Sequence, residues 1–149
     1  MKSYERQIEV KANPELVFRA LTKEIGQWWT PSDKEISAVD DVVTFRFDPT
    51  YWTMRVEQYV NDQLLTLECI EANHEDKKLP ASIREEWLGT KLIWRLEKAQ
   101  DKTKITFTHD GLVPQLECFE ICEAGWDYFF VNSLKSYIET GKGHPAIVD

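Results

Sequence analysis

The alternation of apolar and polar residues predicts a strand at the start of the chain and a β-rich centre. Residues 4–10 (YERQIEV) place Tyr4, Arg6, Ile8 and Val10 on one face, which is the pattern of a half-buried strand. Further strands are predicted at 42–47, 51–60, 64–72, 90–99 and 104–112. The polar turns between them are typical of antiparallel hairpins.

Two helical regions flank the predicted strands. Asn13-Pro14-Glu15 combines an N-cap residue, a proline suited to the first helical position and an acid that favours the helix dipole. A helix is therefore predicted to begin at Pro14, and Gly26 predicts either a second short helix or a kink before Trp29. A last helix is predicted from about residue 115 to 140, closed by Gly141 and Gly143, with an apolar stripe at spacings of three and four.

The order of these elements predicts an α+β fold. It runs from a strand through two short helices and about six antiparallel strands to a long helix. That helix can bury its apolar stripe only against the concave face of the sheet. A curved antiparallel sheet wrapped around a long C-terminal helix is the helix-grip arrangement. Because no linker or repeat divides the 149 residues, one domain spanning 1–149 is expected.

Several short motifs, taken in order, carry a resemblance to a known family. They are residues 13–18 (NPELVF), Trp28-Trp29, Gly125-Trp126, Ser133-Leu134, residues 137–139 (YIE) and residues 141–143 (GKG). With these motifs the chain resembles the START-like or SRPBCC superfamily, and more narrowly the proteins similar to the C-terminal domain of the activator of the heat-shock-protein-90 ATPase. The resemblance implies the helix-grip fold. Members of this superfamily have functions that range from ligand carriage and cyclisation to chaperone activation. The function of this chain therefore has to be argued from a site.

Charge and composition narrow the range of partners. Lys+Arg 18 against Asp+Glu 26 gives a net charge of −8, which disfavours a nucleic-acid partner and an anionic membrane surface. The first ten residues hold no apolar signal-peptide core, and no run approaches the roughly 18 apolar residues that span a bilayer. Cys69, Cys118 and Cys122 are too few and too irregular for a disulfide framework, so a cytoplasmic protein is expected.

Aromatic residues supply the candidate binding site. The chain has 6 Trp, and in a helix-grip fold the elements that carry them surround one cavity. Such a cavity could bind a small apolar or amphipathic ligand, although the same residues could equally fill the core. The candidate lining residues are Trp28, Trp29, Phe45, Phe47, Trp52, Met54, Trp87, Trp94, His109, Trp126, Phe129 and Phe130. Gly125, inside the last helix, is expected to allow close packing of Trp29 or a strand rather than to make room for a ligand.

Polar residues offer little catalytic chemistry. Alternation places His109 beside Phe107 on the apolar face of its strand, apart from Asp110, so it is expected to be a hydrogen-bonded core residue rather than a catalytic one. Arg46, Arg55 and Arg95 are candidates for holding a ligand carboxylate if one of them faces inward, and Glu68 and Glu86 are weaker candidates.

Neither a metal nor a cofactor is expected. His74, His109 and His144 lie far apart without a zinc-type spacing, and Cys118 and Cys122, four residues apart on a helix, supply two ligands at most. Phosphate-binding loops and hydrolase motifs are absent from the sequence.

Three functions follow, in order of preference. The first is a ligand-binding module. The second is an enzyme that uses the same cavity, such as a cyclase or hydrolase, which needs an inward titratable group with a shifted pKa. The third is a protein-interaction domain like the chaperone activators, which predicts exposed apolar residues near Trp28-Trp29. A homodimer is compatible with all three.

Overall fold

Six antiparallel strands form one curved sheet in the computed structural model, which describes residues 2–146. The strands are β1 Tyr4–Val10, β2 Val42–Phe47, β3 Thr50–Val60, β4 Leu64–Asn73, β5 Lys91–Ala99 and β6 Lys102–Asp110. Their order across the sheet is β1-β6-β5-β4-β3-β2, so β1 and β2 form its two edges. The predicted strands are all present with ends shifted by at most two residues. Five strands rather than about six follow the first helices.

The first helical region agrees with its sequence signals. Helix α1 spans Pro14–Thr22, and the side chain of Asn13 accepts a hydrogen bond from the Leu16 backbone N–H at 3.0 Å. A short 3-10 helix at Ile25–Gln27 follows, so of the two predicted alternatives the structure has a second short helix rather than a kink. Together they carry the chain from β1 at one edge of the sheet to β2 at the other.

The C-terminal helix has three consecutive sections. Helix α2 covers Phe119–Trp126, a π-helical section covers Asp127–Leu134, and helix α3 covers Lys135–Thr140. Gly141 ends it in the left-handed conformation (φ 83°), as predicted for a C-terminal glycine. The π-helical section was not predicted.

The start of that helix is set by a residue distant in sequence. The predicted start near residue 115 is wrong, because regular helix begins at Phe119. The carboxylate of Glu86, in the segment before β5, accepts hydrogen bonds from the backbone N–H groups of Glu117 and Cys118 at 3.1 and 3.0 Å. Glu86 therefore holds the N–H of the N-cap residue Cys118 and of the residue before it, and a carboxylate there suits the helix dipole.

Polar contacts hold the helix against β1. Asp127 accepts hydrogen bonds from the Tyr4 hydroxyl at 2.7 Å and from Arg6 Nε at 3.0 Å. Arg6 also pairs with Glu123 and lies over the Tyr4 ring at 4.4 Å. Burial and the hydrogen bond to Asp127 raise the pKa of Tyr4, so its hydroxyl remains a donor at neutral pH.

The core lies between the concave face of the sheet and the helices. Register shifts between Thr53 and Met54 and between Val56 and Gln58 interrupt the β3–β4 ladder, and such irregularities bend and twist a strand. The largest fully buried side chains include Trp28, Trp29, Trp94, Phe45, Phe107 and Phe130. The sheet thus curves around the C-terminal helix but leaves one end of the interior incompletely filled.

Candidate functional site

A cavity of about 260 Å³ lies between the C-terminal helix and the end of the sheet formed by β2, β3 and β4. Aromatic rings form most of its wall, and polar residues from the β3 start and the β4–β5 segment complete it. The lining residues are Trp29, Phe47, Thr50, Trp52, His74, Glu75, Asp76, Trp87, Ile121, Cys122, Gly125, Trp126 and Phe129.

Four of the lining residues form a tryptophan cluster: Trp29, Trp52, Trp87 and Trp126. The rings of Trp52 and Trp87 stack with centroids 4.0 Å apart, and those of Trp29 and Trp126 are 4.8 Å apart. The tryptophan cluster joins four separate parts of the chain, so its rings hold one another in fixed positions. Phe47 and Phe129 extend the aromatic surface, with centroids 5.8 Å apart.

The structure brings together six of the twelve candidate lining residues. The six along the cavity are Trp29, Phe47, Trp52, Trp87, Trp126 and Phe129. The remaining six do not line it and belong to the core or its packed surroundings: Trp28, Phe45, Met54, Trp94, His109 and Phe130. Alternation shows that such residues face inward, but the depth of each one depends on side chains from other elements.

His109 lies behind the cavity wall and supports it. Its Nδ1 accepts a hydrogen bond from Trp126 Nε1 at 3.0 Å, and its Nε2 lies 2.9 Å from Thr90 Oγ1. Since Nδ1 is the acceptor, the proton of the neutral ring is on Nε2 and points to Thr90. Burial lowers the pKa of His109 to about 3. The residue is therefore a neutral, doubly hydrogen-bonded part of the core, on the face that alternation predicts.

Three buried ring nitrogens have no hydrogen-bond partner among the described residues: Trp52 Nε1, Trp94 Nε1 and His74 Nδ1. Trp28 instead donates to the Ala20 carbonyl at 2.8 Å. Buried polar atoms without a partner are uncommon in folded proteins. Two of the three unpartnered residues, Trp52 and His74, line the cavity.

Gly125 opens the cavity rather than allowing close packing. A Cβ placed on Gly125 would have no atom within 4 Å, and the residue lines the cavity. The expectation that Trp29 or a strand packs against its backbone is therefore wrong. Helix α2 approaches the cavity with no side chain at this position, which leaves the space free.

The charged candidates from the strands do not face the cavity. Arg46 and Arg95 are exposed, and Arg55 pairs with Asp40 and Glu68 at 3.2 and 2.9 Å. The cavity instead has acidic residues at its rim, since Glu75 is exposed and Asp76 half-buried.

A cluster of three potential metal ligands adjoins the cavity. An imidazole nitrogen of His74 and the Sγ atoms of Cys118 and Cys122 all lie within 4.8 Å of one another, and all three residues are buried. Sequence spacing shows no zinc-type pattern, yet the fold brings His74 together with the two helical cysteines. The hydrogen bond with Cys122, together with burial, raises the pKa of the Cys118 thiol. All three cysteines are free thiols.

The curved sheet, the long C-terminal helix and the cavity between them define a helix-grip protein of the START-like class. The chain belongs to the Activator of Hsp90 ATPase homolog 1-like protein family, whose model matches residues 11–139. No protein of curated function matches it. None of the helices at 2–146 is both long and apolar enough to cross a membrane.

Solved structures support the same assignment. The Aha1 dimer from Colwellia psychrerythraea is 27% identical, with a TM-score of 0.74 over 96% of this chain and 100% of that one. DynU16, from the dynemicin biosynthetic locus, is 17% identical with a TM-score of 0.74 over 96% of this chain and 49% of its own. SSP2350 from Staphylococcus saprophyticus is 18% identical with a TM-score of 0.68, over 96% of this chain and 98% of that one. The latter two show likeness of fold alone.

Proposed function

We propose that this protein binds a small, uncharged apolar or aromatic ligand in the cavity beside Gly125. The observation that carries the proposal is the cavity of about 260 Å³, bordered by the tryptophan cluster and by a helical glycine whose Cβ position is empty. Apolar pockets with a few polar groups are the usual sites for small ligands.

The size and charge of the cavity indicate the kind of ligand. Its volume is slightly below the roughly 300–1,000 Å³ of drug-sized sites, while a cavity of about 150 Å³ accepts benzene. A ligand of one or two rings fits this range. Glu75 and Asp76 at the rim and the net charge of −8 disfavour an anion. A neutral aromatic compound is therefore favoured over a fatty acid or an aromatic acid.

The two alternative functions have less support. The enzyme hypothesis requires an inward titratable group with a shifted pKa. His109 has such a pKa, yet both of its ring nitrogens are engaged and it does not line the cavity. The interaction-domain hypothesis predicts exposed aromatic residues at Trp28-Trp29, whereas these residues are only 0% and 2% exposed.

A panel of neutral one- and two-ring aromatic compounds, with matching aromatic acids and fatty acids, tests the proposal. Binding is followed by tryptophan fluorescence and by the shift in Tm. We expect saturable quenching by neutral compounds, because four tryptophans border the cavity. A ligand at 100 times its Kd stabilises the native state by about 2.7 kcal/mol and raises the Tm.

Two substitutions on helix α2 provide a matched comparison. Gly125→Leu places a side chain into the cavity, whereas Ala124→Leu adds the same side chain on the exposed side. We expect the first to weaken binding at least about tenfold, or about 1.4 kcal/mol, and the second to leave it unchanged. Equal binding by the two variants, or no saturable binding of any compound to the unsubstituted protein, contradicts the proposal.

A further inference from the structure

The cluster of His74, Cys118 and Cys122 is assembled from two separate parts of the chain. His74 directly follows β4, Cys118 lies at the N-cap of α2, and Cys122 lies one turn further along that helix. Their relative exposures are 6%, 0% and 7%. The packing of the β4–β5 segment against the helix brings the three residues together.

Core packing leaves one polar atom of this cluster without a partner. Buried cysteines usually behave as small apolar residues, but a buried histidine needs partners for its ring nitrogens. Nδ1 of His74 is buried and has no hydrogen-bond partner among residues 2–146. An ion between the imidazole and the two thiolates would give the three side chains a shared partner.

We propose that His74, Cys118 and Cys122 form a binding site for one Zn²⁺ ion. Two cysteine sulfurs and one histidine nitrogen are a donor set that zinc accepts in proteins. Tetrahedral bonds of about 2.0–2.3 Å place neighbouring donor atoms about 3.5–3.8 Å apart. With all three within 4.8 Å, the donors need to approach by about 1.3 Å at most, which side-chain rotation can supply.

The surroundings of the cluster suit a metal–thiolate site. Trp87 Nε1 donates a hydrogen bond to Cys122 Sγ at 3.3 Å, which stabilises negative charge on the sulfur. The Glu86 carboxylate accepts a hydrogen bond from the Cys118 backbone N–H at 3.0 Å, so it adds negative charge beside the cluster that a bound cation would offset. The backbone N–H of His74 donates to the Arg84 carbonyl at 2.9 Å and holds that segment in place.

Three protein ligands leave one tetrahedral position for water or a ligand atom. His74 and Cys122 line the cavity, while Cys118 is fully buried. The open position is therefore expected on the cavity side, where the ion could contact a bound molecule. The zinc site itself does not depend on the proposed function, since it can be tested without an organic ligand.

Metal titration of the chelator-treated, reduced protein tests the site. Co²⁺ serves as the spectroscopic probe, because thiolate ligation gives a near-ultraviolet charge-transfer band and tetrahedral geometry gives intense visible bands. Competition between Zn²⁺ and a chromogenic chelator then gives the Kd. We expect one ion per chain, a thiolate band that Zn²⁺ abolishes, and protection of Cys118 and Cys122 from alkylation.

Substitutions separate the three ligands from the remaining cysteine. We expect His74→Ala, Cys118→Ala and Cys122→Ala each to weaken Zn²⁺ binding more than about a hundredfold, exceeding the usual loss for a second-shell change. Cys69→Ala is the matched control, because Cys69 is also a buried free thiol but lies outside the cluster. It should leave the Kd unchanged.

Failure of a variant to fold does not remove the test, because alkylation mapping and Co²⁺ spectra use the unsubstituted protein. Absence of a thiolate band, or equal alkylation of the two clustered cysteines with and without Zn²⁺, overturns the zinc site. A Kd unchanged in folded His74→Ala also overturns it.

Discussion

Burial of His109 makes its protonation unfavourable in the folded protein. The ring is fully buried, and both nitrogens have partners in Trp126 and Thr90. Its pKa is lowered to about 3, against an ordinary value of 6.5. The unfolded chain therefore binds a proton at this residue below about pH 6.5, whereas the folded chain does so only near pH 3.

This difference gives the first prediction. A depressed histidine pKa contributes stability that is present above the unfolded value and is lost as pH falls towards the folded value. We expect the free energy of unfolding to fall by up to about 1.4 kcal/mol per pH unit between pH 6 and 4 from this group alone. His109→Asn retains an acceptor for Trp126 but does not titrate, so its stability should fall less steeply in urea unfolding curves. The prediction is contradicted if the free energy of unfolding falls with pH by the same amount in the two proteins.

Gly125 provides the second prediction, on stability. Alanine is favoured over glycine in a helix by about 1 kcal/mol, and a Cβ at Gly125 has free space. We expect Gly125→Ala to raise the free energy of unfolding by about 0.5–1 kcal/mol. Gly111→Ala is the contrasting variant, because φ there is +103° and its Cβ would lie 2.7 Å from Thr90 Cγ2, so stability should fall. A loss of stability in Gly125→Ala would favour the close packing predicted from the sequence.

His74 shows where prediction from the sequence stops at this scale. Periodicity identifies the inward face of a strand, so His109 could be placed beside Phe107 on the apolar side. His74 lies in a polar loop segment, where no period applies, and its two cysteine partners are far along the chain. The sequence offers two signals here: a histidine just after an alternating strand, and two cysteines on one face of a helix. Neither signal predicts that the histidine and the cysteines are in contact.

At the scale of elements, Glu86 connects the β4–β5 segment to the start of helix α2. Its carboxylate accepts hydrogen bonds from the backbone N–H groups of Glu117 and of the N-cap residue Cys118, where no local side chain caps the helix. Loss of an N-cap residue usually costs about 0.5–2 kcal/mol. We therefore expect Glu86→Ala to lower the free energy of unfolding by about 1 kcal/mol.

The neighbouring acid supplies the control for Glu86. Glu85 is exposed and makes no side-chain hydrogen bond or ion pair to the part of the chain that the structure describes. Glu85→Ala removes the same charge without removing the cap. Urea unfolding of both variants separates the two effects, and equal losses would mean that the cap contributes nothing beyond charge.

The elements differ in how far the sequence determines them. Strands were predicted well because alternation and turn residues are local signals. The C-terminal helix is contacted at its start by Glu86, which is distant in the sequence. Local capping signals near Pro114 therefore cannot predict where the helix begins. Its π-helical section brings Phe130, Ser133 and Leu134 to the buried side, in line with Trp126 at the end of α2. An apolar stripe with spacings of three and four does not distinguish this winding from an α-helix.

At the scale of the molecule, the segment after the C-terminal helix returns to the region of Trp28-Trp29. Ser133 Oγ donates to the Trp28 carbonyl and accepts from the His144 N–H, both at 2.7 Å. The Ala146 N–H donates to the Trp29 carbonyl at 2.7 Å. Trp29 also forms part of the cavity wall, so these contacts fix one side of the site through the fold as a whole.

Gly143 makes this packing possible and gives the last prediction. A Cβ at Gly143 would collide with the Gln27 carbonyl oxygen and lie 3.1 Å from Trp28 Cα, so the backbone would have to shift. We expect Gly143→Ala to lower the free energy of unfolding by about 1–3 kcal/mol and to weaken binding of any ligand that contacts Trp29. Gly26→Ala is the matched control, because its nearest neighbour would be Pro31 Cα at 3.9 Å, an ordinary contact. Urea unfolding and near-ultraviolet circular dichroism compare the two variants. If Gly143→Ala is as stable as Gly26→Ala, the final segment does not hold Trp29 in place, and the cavity wall must be fixed by the tryptophan cluster alone.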